Sequence, residues 1–328
     1  MNKDKRRGQP ALLIVILILV LVFVISGLQF LESTVFHPTG SDQGINDKTI
    51  VRDGVEYFPR QDMTVILVAG IDEDGPMVSS GSYNNPGEAD MVTLLVFDET
   101  NKTMDVLTLN RDTMLDMPIL GIGGKVAGTA YGQLALAHTY GTGLADSAVN
   151  LRNTVSDFLY NAHIDYYVTM HMDAISILND LVGGVKVNVT DDFSEIDPSI
   201  TKGEMVLSGK QALTYVRTRQ GLGDQLNVTR MDRQREYMLG FMTALKKSVS
   251  DSATFALEAY EKVKDYAMTD CSSSAITALV NRLVGYELGD VVKLEGENKA
   301  GEKYMEYHVD KEALDKVILK YLYAPKKK

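Results

Sequence analysis

Residues 64–69 read Thr-Val-Ile-Leu-Val-Ala, an unbroken apolar run of about the length of one strand. A strand that is apolar at every position is typical of a sheet buried on both faces. A second apolar run covers residues 91–97, and residues 104–109 alternate after the turn-forming segment 98–102. The pattern predicts that the second and third strands form a hairpin beside the first.

Further along the chain, strand and helix patterns alternate. Residues 164–170 read as a strand, 173–182 as an amphipathic helix that ends at Gly183–Gly184, and 185–189 as another strand. This alternation predicts a three-layer α/β/α sandwich around a central mixed β-sheet. The remaining predictions are a strand at 214–219, helices at 229–244, 251–268 and 272–286, a hairpin across 290–309, and a last helix from Lys311.

The N-terminal region predicts a membrane anchor. Residues 11–31 are apolar except for Ser26, Gly27 and Gln29, and a helix of about 20 such residues spans a bilayer core. The preceding tail, 1–10, is basic, which predicts a cytoplasmic N-terminus and an extracellular remainder. A cleaved signal peptide is the alternative, but its apolar region would be shorter and would end at a small-residue site.

The predicted organisation outside the cell has an extracellular lead-in at 32–60, a main domain at 61–245, and a C-terminal helical and hairpin extension at 246–328 packed on the same domain. A single cysteine, Cys271, excludes an intrachain disulfide bond. An outer domain without disulfides favours a bacterium with a single membrane.

A basic segment stands out in an acidic chain. The protein has 33 basic and 44 acidic residues, yet residues 217–235 contain five arginines, no lysine and two aspartates. Arginine presents a planar fork of donors that suits phosphate oxygens. An arginine-rich segment in an acidic protein indicates an anionic ligand held in fixed geometry, and not general affinity for nucleic acid. Ion pairs of these arginines with Asp224 and Asp232 are the structural alternative.

Charged residues at the ends of the predicted strands converge on one edge of the sheet. Asp72 follows the first strand, Asp90 precedes the second, and Arg111 follows the third. In a strand at 214–219, Arg217 and Arg219 would share a face, and in a helix at 229–244 Arg230, Arg233 and Gln234 would do so. Carboxylates with substrate phosphates commonly hold Mg²⁺. In the structural alternative, Asp72 and Asp90 pair only with Arg111.

The chain resembles the LytR–CpsA–Psr family of membrane-anchored cell-wall enzymes. The resemblance runs from about residue 65 to residue 239, and it depends on the order of several short segments. These are 67–72 (LVAGID), 88–91 (EADM), 109–113 (LNRDT), 137–141 (AHTYG), 164–168 (IDYYV), 181–185 (LVGGV) and the arginine-rich segment 217–235.

The resemblance implies a phosphotransferase that moves an anionic glycopolymer, such as wall teichoic acid, from a polyprenyl pyrophosphate carrier to a peptidoglycan sugar hydroxyl. It implies Mg²⁺ or Mn²⁺ as cofactor, pyrophosphate hydrolysis as a side activity, and an apolar groove for the lipid tail. The implied metal ligands are Asp72 and Asp90. The implied catalytic residues are Arg111, Arg217, Arg219 and Asp90, and the implied pyrophosphate ligands are Arg111, Arg217, Arg219, Arg230, Arg233 and Gln234.

The chain departs from the family pattern at two positions beside these residues. Many members have arginine two residues before the second acid, where this chain has Glu88, which removes an expected phosphate contact and adds a like charge near the metal. Asn110 replaces a frequent proline before Arg111. Glu88 keeps open a different class of function, a non-catalytic protein that binds wall polymer or polyprenyl phosphate and tethers it to the membrane.

Overall fold

The computed structural model describes residues 49–218, 222, 227–252, 255–271 and 286–326. No helix within these ranges is long and apolar enough to cross a membrane. The predicted tail at 1–10, the predicted anchor at 11–31, Arg219 and Asp224 all lie outside the described residues, as does most of the predicted helix at 272–286.

The described residues form fifteen strands and six α-helices, and the first seven strands precede the first α-helix. The strands are β1 (Ile50–Arg52), β2 (Val55–Pro59), β3 (Met63–Ile71), β4 (Ala89–Asp98), β5 (Thr103–Leu109), β6 (Met114–Leu120), β7 (Val126–Gln133), β8 (Tyr166–His171), β9 (Val185–Val189), β10 (Gly203–Leu207), β11 (Ala267–Thr269), β12 (Glu287–Lys293), β13 (Gly296–Ala300), β14 (Met305–Val309) and β15 (Tyr323–Pro325). The α-helices are α1 (Ala145–Phe158), α2 (Asp173–Leu181), α3 (Gly209–Arg217), α4 (Asn227–Asp251), α5 (Phe255–Val263) and α6 (Lys311–Tyr321).

A central sheet has the strand order β11-β8-β3-β4-β5-β12. Strands β3, β4 and β5 pair antiparallel, whereas β8 runs parallel to β3 and β12 runs parallel to β5. The predicted mixed sheet and the predicted hairpin, which is formed by β4 and β5, are therefore confirmed. Strand β3 also runs antiparallel to β4, which brings the C-terminal end of β3 to the N-terminal end of β4.

Strand β3 is apolar at every position except Thr64 because each of its faces meets a different core. Ile66 and Val68 belong to a cluster with residues of α2, α3, α4 and α5. Val65 and Leu67 belong to a second cluster with residues of α1 and α6. The sheet is thus covered by helices on both faces, as the three-layer prediction requires.

The predicted strand at 214–219 is wrong, because residues up to Arg217 lie in helix α3. Ser208 and Gln211 form a reciprocal capping box at its start, which satisfies free backbone N–H groups. Ala212, Tyr215 and Val216 then bury one face at helical spacing. Arg217 is consequently the last helical residue, and the two-residue repeat of a strand does not describe it.

The predicted strand at 185–189 is confirmed, and the predicted hairpin across 290–309 is found in its second part. Residues 185–189 form β9 as predicted, but β9 pairs with β10 in a separate two-stranded sheet. In the region 290–309, β12 joins the central sheet and only β13 and β14 form a hairpin. The last helix does begin at Lys311, as predicted.

The described part of the predicted lead-in is ordered structure. Strands β1 and β2 pair with each other, and β2 also pairs with β15 near the end of the chain. The guanidinium of Arg52 donates to Asp315 of α6 at 2.6 Å. Residues 50–59 therefore pack with the C-terminal extension.

Candidate active site

Asp90 lies in an irregularity of the central sheet. Gly70 pairs with Met91 and Ile71 pairs with Ala89, so Asp90 is the extra residue of a β-bulge between β3 and β4. A bulge redirects a side chain out of the regular alternation of a strand, and bulges are common beside active sites. The carboxylate of Asp90 is buried at the end of the sheet where β4 begins and β3 and β5 end.

Two arginines from distant parts of the chain hold the Asp90 carboxylate. Nη1 of Arg111, which lies two residues past the end of β5, pairs with Oδ1. Nη1 of Arg230, in the first turn of α4, donates to Oδ2 at 2.6 Å, and its Nη2 donates to the Asp90 backbone carbonyl at 3.3 Å. The predicted meeting of Asp90 and Arg111 at one edge is confirmed, and Arg230 lies there too.

Arg111 is surrounded by carboxylates on three sides. Besides Asp90, its Nη2 donates to Oε2 of Glu88, and its Nε lies 3.4 Å from Oδ1 of Asp112. Asp112 also accepts a hydrogen bond from the Gln133 side chain at 3.0 Å. The Glu88 side chain therefore contacts the arginine that the resemblance assigns to pyrophosphate.

Asp72 lies next to Glu88 and pairs with a different arginine. Its backbone N–H donates to the Glu88 carbonyl at 2.8 Å. Its Oδ1 lies 2.7 Å from Nη2 of Arg217, whose Nη1 donates to Asp74 at 3.0 Å. In the structural alternative, Asp72 and Asp90 both pair with Arg111. The described contacts show this pairing for Asp90 but not for Asp72, which pairs with Arg217.

These side chains form two neighbouring ion-pair groups, one around Arg111 and one around Arg217, which are joined by the backbone hydrogen bond from Asp72 to Glu88 and are treated together as the ion-pair cluster. Five carboxylates and three guanidiniums leave a formal excess of two negative charges, which favours a cation. The cluster consists of Asp72, Asp74, Glu88, Asp90 and Asp112 with Arg111, Arg217 and Arg230.

Two residues of the predicted pyrophosphate set make other contacts. Nη1 of Arg233 donates to Asp191 at 2.6 Å, and the same guanidinium donates to the carbonyls of Tyr215 and Thr218. The Gln234 side chain donates to the Val216 carbonyl at 3.2 Å. Both residues thus fasten α4 to the C-terminal end of α3, which carries Arg217. The alternative partner Asp232 pairs with Lys293.

The acids of the cluster suit a hard divalent cation. Oδ1 of Asp72 and Oδ1 of Asp90 are buried, and each makes an ion-pair contact without accepting a hydrogen bond of normal geometry. No group of three or more histidine, cysteine or acidic side chains in the described ranges is placed to hold a metal. Two carboxylates are nevertheless sufficient for Mg²⁺ when phosphate oxygens and water complete its shell.

A scaffold of buried polar groups supports the loop before β4. Nδ1 of His138 lies 2.8 Å from the Gly87 carbonyl, and the Asn85 side chain donates to the His138 carbonyl at 2.8 Å. Burial lowers the pKa of His138 to about 4, so the ring is neutral and Nδ1 is the donor. A side chain at Gly87 would meet Ile71 at 2.8 Å. This packing fixes the backbone from which Glu88 extends.

An apolar cavity of about 170 Å³ lies between the sheet and helices α2 and α4. Met91 and Met231 in its lining directly follow Asp90 and Arg230, so the cavity adjoins the ion-pair cluster. Methionine is flexible and adapts to irregular apolar ligands. The methionines of the lining are Met91, Met170, Met172, Met231 and Met238.

Sequence reasoning did not identify this lining or the contribution of Asp74. Apolar residues of a cavity and of a packed core have the same pattern in a sequence, so only the packing of α2 and α4 on the sheet separates them. Asp74 lies in a loop between strands, where no periodicity predicts its direction. The one signal in the sequence that pointed to the cavity was the presence of methionines next to Asp90 and Arg230, namely Met91 and Met231.

Comparison with known proteins gives consistent matches. A model described as the LytR_cpsA_psr family matches residues 37–321. The polyisoprenyl-teichoic acid–peptidoglycan teichoic acid transferase TagU of Oceanobacillus iheyensis is 27% identical over 95% of this chain and 93% of its own. TagU of Bacillus subtilis is 28% identical over 74% of this chain and 72% of its own. The crystal structure of B. subtilis TagV covers 79% of this chain and 95% of its own with a TM-score of 0.56 and 25% identity.

Proposed function

The chain belongs to the LytR–CpsA–Psr family, and from this membership we propose that it transfers an anionic glycopolymer from a polyprenyl pyrophosphate carrier to a sugar hydroxyl of peptidoglycan. The TagU relatives are named as polyisoprenyl-teichoic acid–peptidoglycan teichoic acid transferases, which supports this reaction class. Water in place of the sugar hydroxyl would account for a pyrophosphatase side activity. The segment 11–31 would anchor the domain at the outer face of the membrane.

One structural observation carries the proposal: an arginine-containing cluster adjoins an apolar cavity. A polyprenyl diphosphate has the same two parts, an anionic head and an apolar chain. The arginines Arg111 and Arg217 reach the head, with Arg219 assigned to it by the resemblance. The cavity beside Met91 and Met231 accepts the first part of the chain. Burial of each methylene group there contributes about 0.8 kcal/mol.

In the proposed reaction the acceptor hydroxyl attacks phosphorus in line with the leaving lipid phosphate. Arg111 and Arg217 hold the phosphoryl oxygens, and Asp90 orients Arg111 and Arg230 through both of its oxygens. Such fixed donors stabilise the charge that develops in the transition state. Arg233 and Gln234 act indirectly, because they hold the end of helix α3 in place.

A carboxylate of the cluster accepts the proton of the attacking hydroxyl. Asp72, Asp90 and Asp112 are the candidates, and Asp72 is the most accessible of them. When Mg²⁺ or Mn²⁺ is bound, it supplies positive charge to the diphosphate oxygens, and Asp72 and Asp90 are the residues that would hold it.

The test is a transfer assay on the full chain purified in detergent. The protein is incubated with a polyprenyl diphosphate-linked glycopolymer, a peptidoglycan oligomer and Mg²⁺, and the phosphodiester product is measured by mass spectrometry. We expect Arg217→Ala and Arg219→Ala to abolish transfer while the protein stays folded. Arg152→Ala is the control, because Arg152 pairs with Asp270, which is outside the cluster. Normal transfer by both site variants would refute the assignment.

A non-catalytic tether is the second candidate function, and the contact between Glu88 and Arg111 favours it. A carboxylate on Arg111 occupies a guanidinium that the transfer reaction would need for a phosphoryl oxygen, whereas a tether needs no transition-state contact from it. The same assay separates the two candidates. Product formation supports the transferase, and tight binding of the lipid diphosphate without product supports the tether.

A further inference from the structure

Two arginines of the ion-pair cluster, the accessible Arg217 and the mostly buried Arg111, each contact an exposed carboxylate. Arg217 is 38% exposed and pairs with Asp74, whose side chain is 65% exposed. Arg111 pairs with Glu88, whose side chain is 39% exposed. The third arginine of the cluster, Arg230, is buried against Asp90. Each guanidinium within reach of a ligand therefore already carries an internal anion.

The two exposed acids differ from the buried acids in their freedom to move. Asp90 is held by Arg111 and Arg230, and Asp112 is held in part by Gln133; both side chains are only 4% exposed. The Glu88 backbone is fixed through its carbonyl, which accepts from Asp72, but its side chain extends to solvent. Rotation about side-chain bonds of Glu88 is then enough to free Nη2 of Arg111, while Nη1 stays paired with Asp90. In the same way, rotation of Asp74 frees Nη1 of Arg217, while Nη2 stays paired with Asp72.

We propose that Glu88 and Asp74 compete with the diphosphate of the substrate for Arg111 and Arg217. The diphosphate displaces the two carboxylates when it binds. After the reaction the carboxylates displace the monophosphate that is left. This inference rests on the proposed function and deepens it, because it assigns two residues that weaken binding at the arginines and so help the monophosphate product to leave. No bond is made or broken in this exchange of ion pairs.

The easier displacement of a monophosphate follows from valency. A diphosphate offers two linked phosphoryl groups, so that once one has replaced Glu88 the other competes with Asp74 at a high local concentration. A monophosphate has one phosphoryl group and gains only one of the two arginines. The tethered carboxylates are always present at high local concentration, so they recover their arginines from a monophosphate more readily than from a diphosphate.

The experiment measures binding of inorganic pyrophosphate and of inorganic phosphate to the full chain in detergent, by isothermal titration calorimetry with Mg²⁺ present. We expect Glu88→Gln and Asp74→Asn each to bind pyrophosphate about threefold more tightly, the factor expected from removing one exposed ion pair. The double variant should gain about tenfold. Glu88→Asp keeps the competing charge and should bind as the wild type does.

Glu297→Gln serves as the control, because Glu297 is an exposed acid on β13 that pairs with Lys299. It should leave both affinities unchanged. The inference is overturned if the wild type binds pyrophosphate but Glu88→Gln and Asp74→Asn bind it no more tightly. The proposed function would still stand in that case. Failure of the wild type to bind pyrophosphate at all would overturn both.

Discussion

Arg230 donates to Asp90 at 2.6 Å, and each of the two side chains is only 4% exposed. Asp90 is the bulged residue of β4 and Arg230 lies in the first turn of α4, so this buried pair fastens a helix to the edge of the central sheet. Because the other oxygen of Asp90 pairs with Arg111, one carboxylate sets the positions of two guanidiniums. Stability and the geometry of the candidate site are thus coupled at Asp90.

Removal of one partner from this pair should be costly. Arg230→Ala leaves the Asp90 charge with less compensation in a buried site, and we expect a loss of about 3–5 kcal/mol in the free energy of unfolding. Urea denaturation followed by fluorescence or circular dichroism measures the change. Lys186→Ala removes an exposed pair with Glu204, and should change stability by less than about 1 kcal/mol. Similar losses in both variants would contradict the argument.

Gly240 permits the close approach of α4 to β9. A methyl group there would collide with the carbonyl oxygen of Lys186 and lie 2.9 Å from Cγ1 of Val185. We expect Gly240→Ala to push α4 outward and to lower the free energy of unfolding by about 1–3 kcal/mol. Gly128→Ala is the matched control, since a methyl group at Gly128 has no neighbour within 4 Å. The prediction fails if thermal denaturation finds the two variants equally stable.

Filling the apolar cavity should weaken lipid binding selectively. Met238→Trp places a larger side chain in the lining of the cavity of about 170 Å³. Displacing two methylene groups of the lipid, at about 0.8 kcal/mol each, raises its Kd by about tenfold. Titration with a polyprenyl diphosphate measures this, whereas inorganic pyrophosphate should bind as before. Leu239→Trp alters the next, exposed position of the same helix and should bind both ligands normally.

The buried His138 should make stability depend on pH. Its pKa is lowered by burial from 6.5 to about 4, so between these values the unfolded chain binds a proton that the folded chain does not. Stability is therefore complete above pH 6.5 and decreases as the pH falls toward 4, by up to about 3 kcal/mol from this residue. The change arises because protonation would place a charge where Nε2 has no hydrogen-bond partner in the described structure.

His138→Asn tests this dependence, because asparagine keeps a donor for the Gly87 carbonyl but does not titrate. Melting temperatures measured from pH 4 to pH 7 should fall less steeply for this variant than for the wild type. Parallel curves would show that other groups cause the acid sensitivity.

Local patterns were sufficient for the core strands and for part of the site. The apolar run at 64–69 and the turn residues at 98–102 act over a few neighbours, so they predicted β3, β4 and β5 and the hairpin. The acids and Arg111 stand at the ends of these strands, and antiparallel pairing brings such ends together. The meeting of Asp90 with Arg111 followed from chain order and strand direction alone.

Other features depend on contacts between distant segments. The strand predicted at 214–219 failed because the capping box at Ser208 and the packing of Tyr215 outweigh a short alternating pattern. The partner of Arg233 is Asp191, 42 residues earlier, and no helical spacing identifies it. The pairing of β12 with β5 likewise joins segments far apart in the chain.

The amino-acid sequence by itself determined the mixed sheet and the set of acids and arginines at the ends of its strands, because these follow from composition, periodicity and order along the chain. It also indicated the family, through the resemblance of several short segments in a fixed order. Only the tertiary structure decided which arginine pairs with each acid. It placed Asp90 in a β-bulge, which directs its side chain toward the ion-pair cluster, and it brought the Glu88 carboxylate into contact with Arg111. An ion pair depends on distances of a few ångströms between side chains, and those distances are set by the packing of helices on the sheet and not by any local pattern.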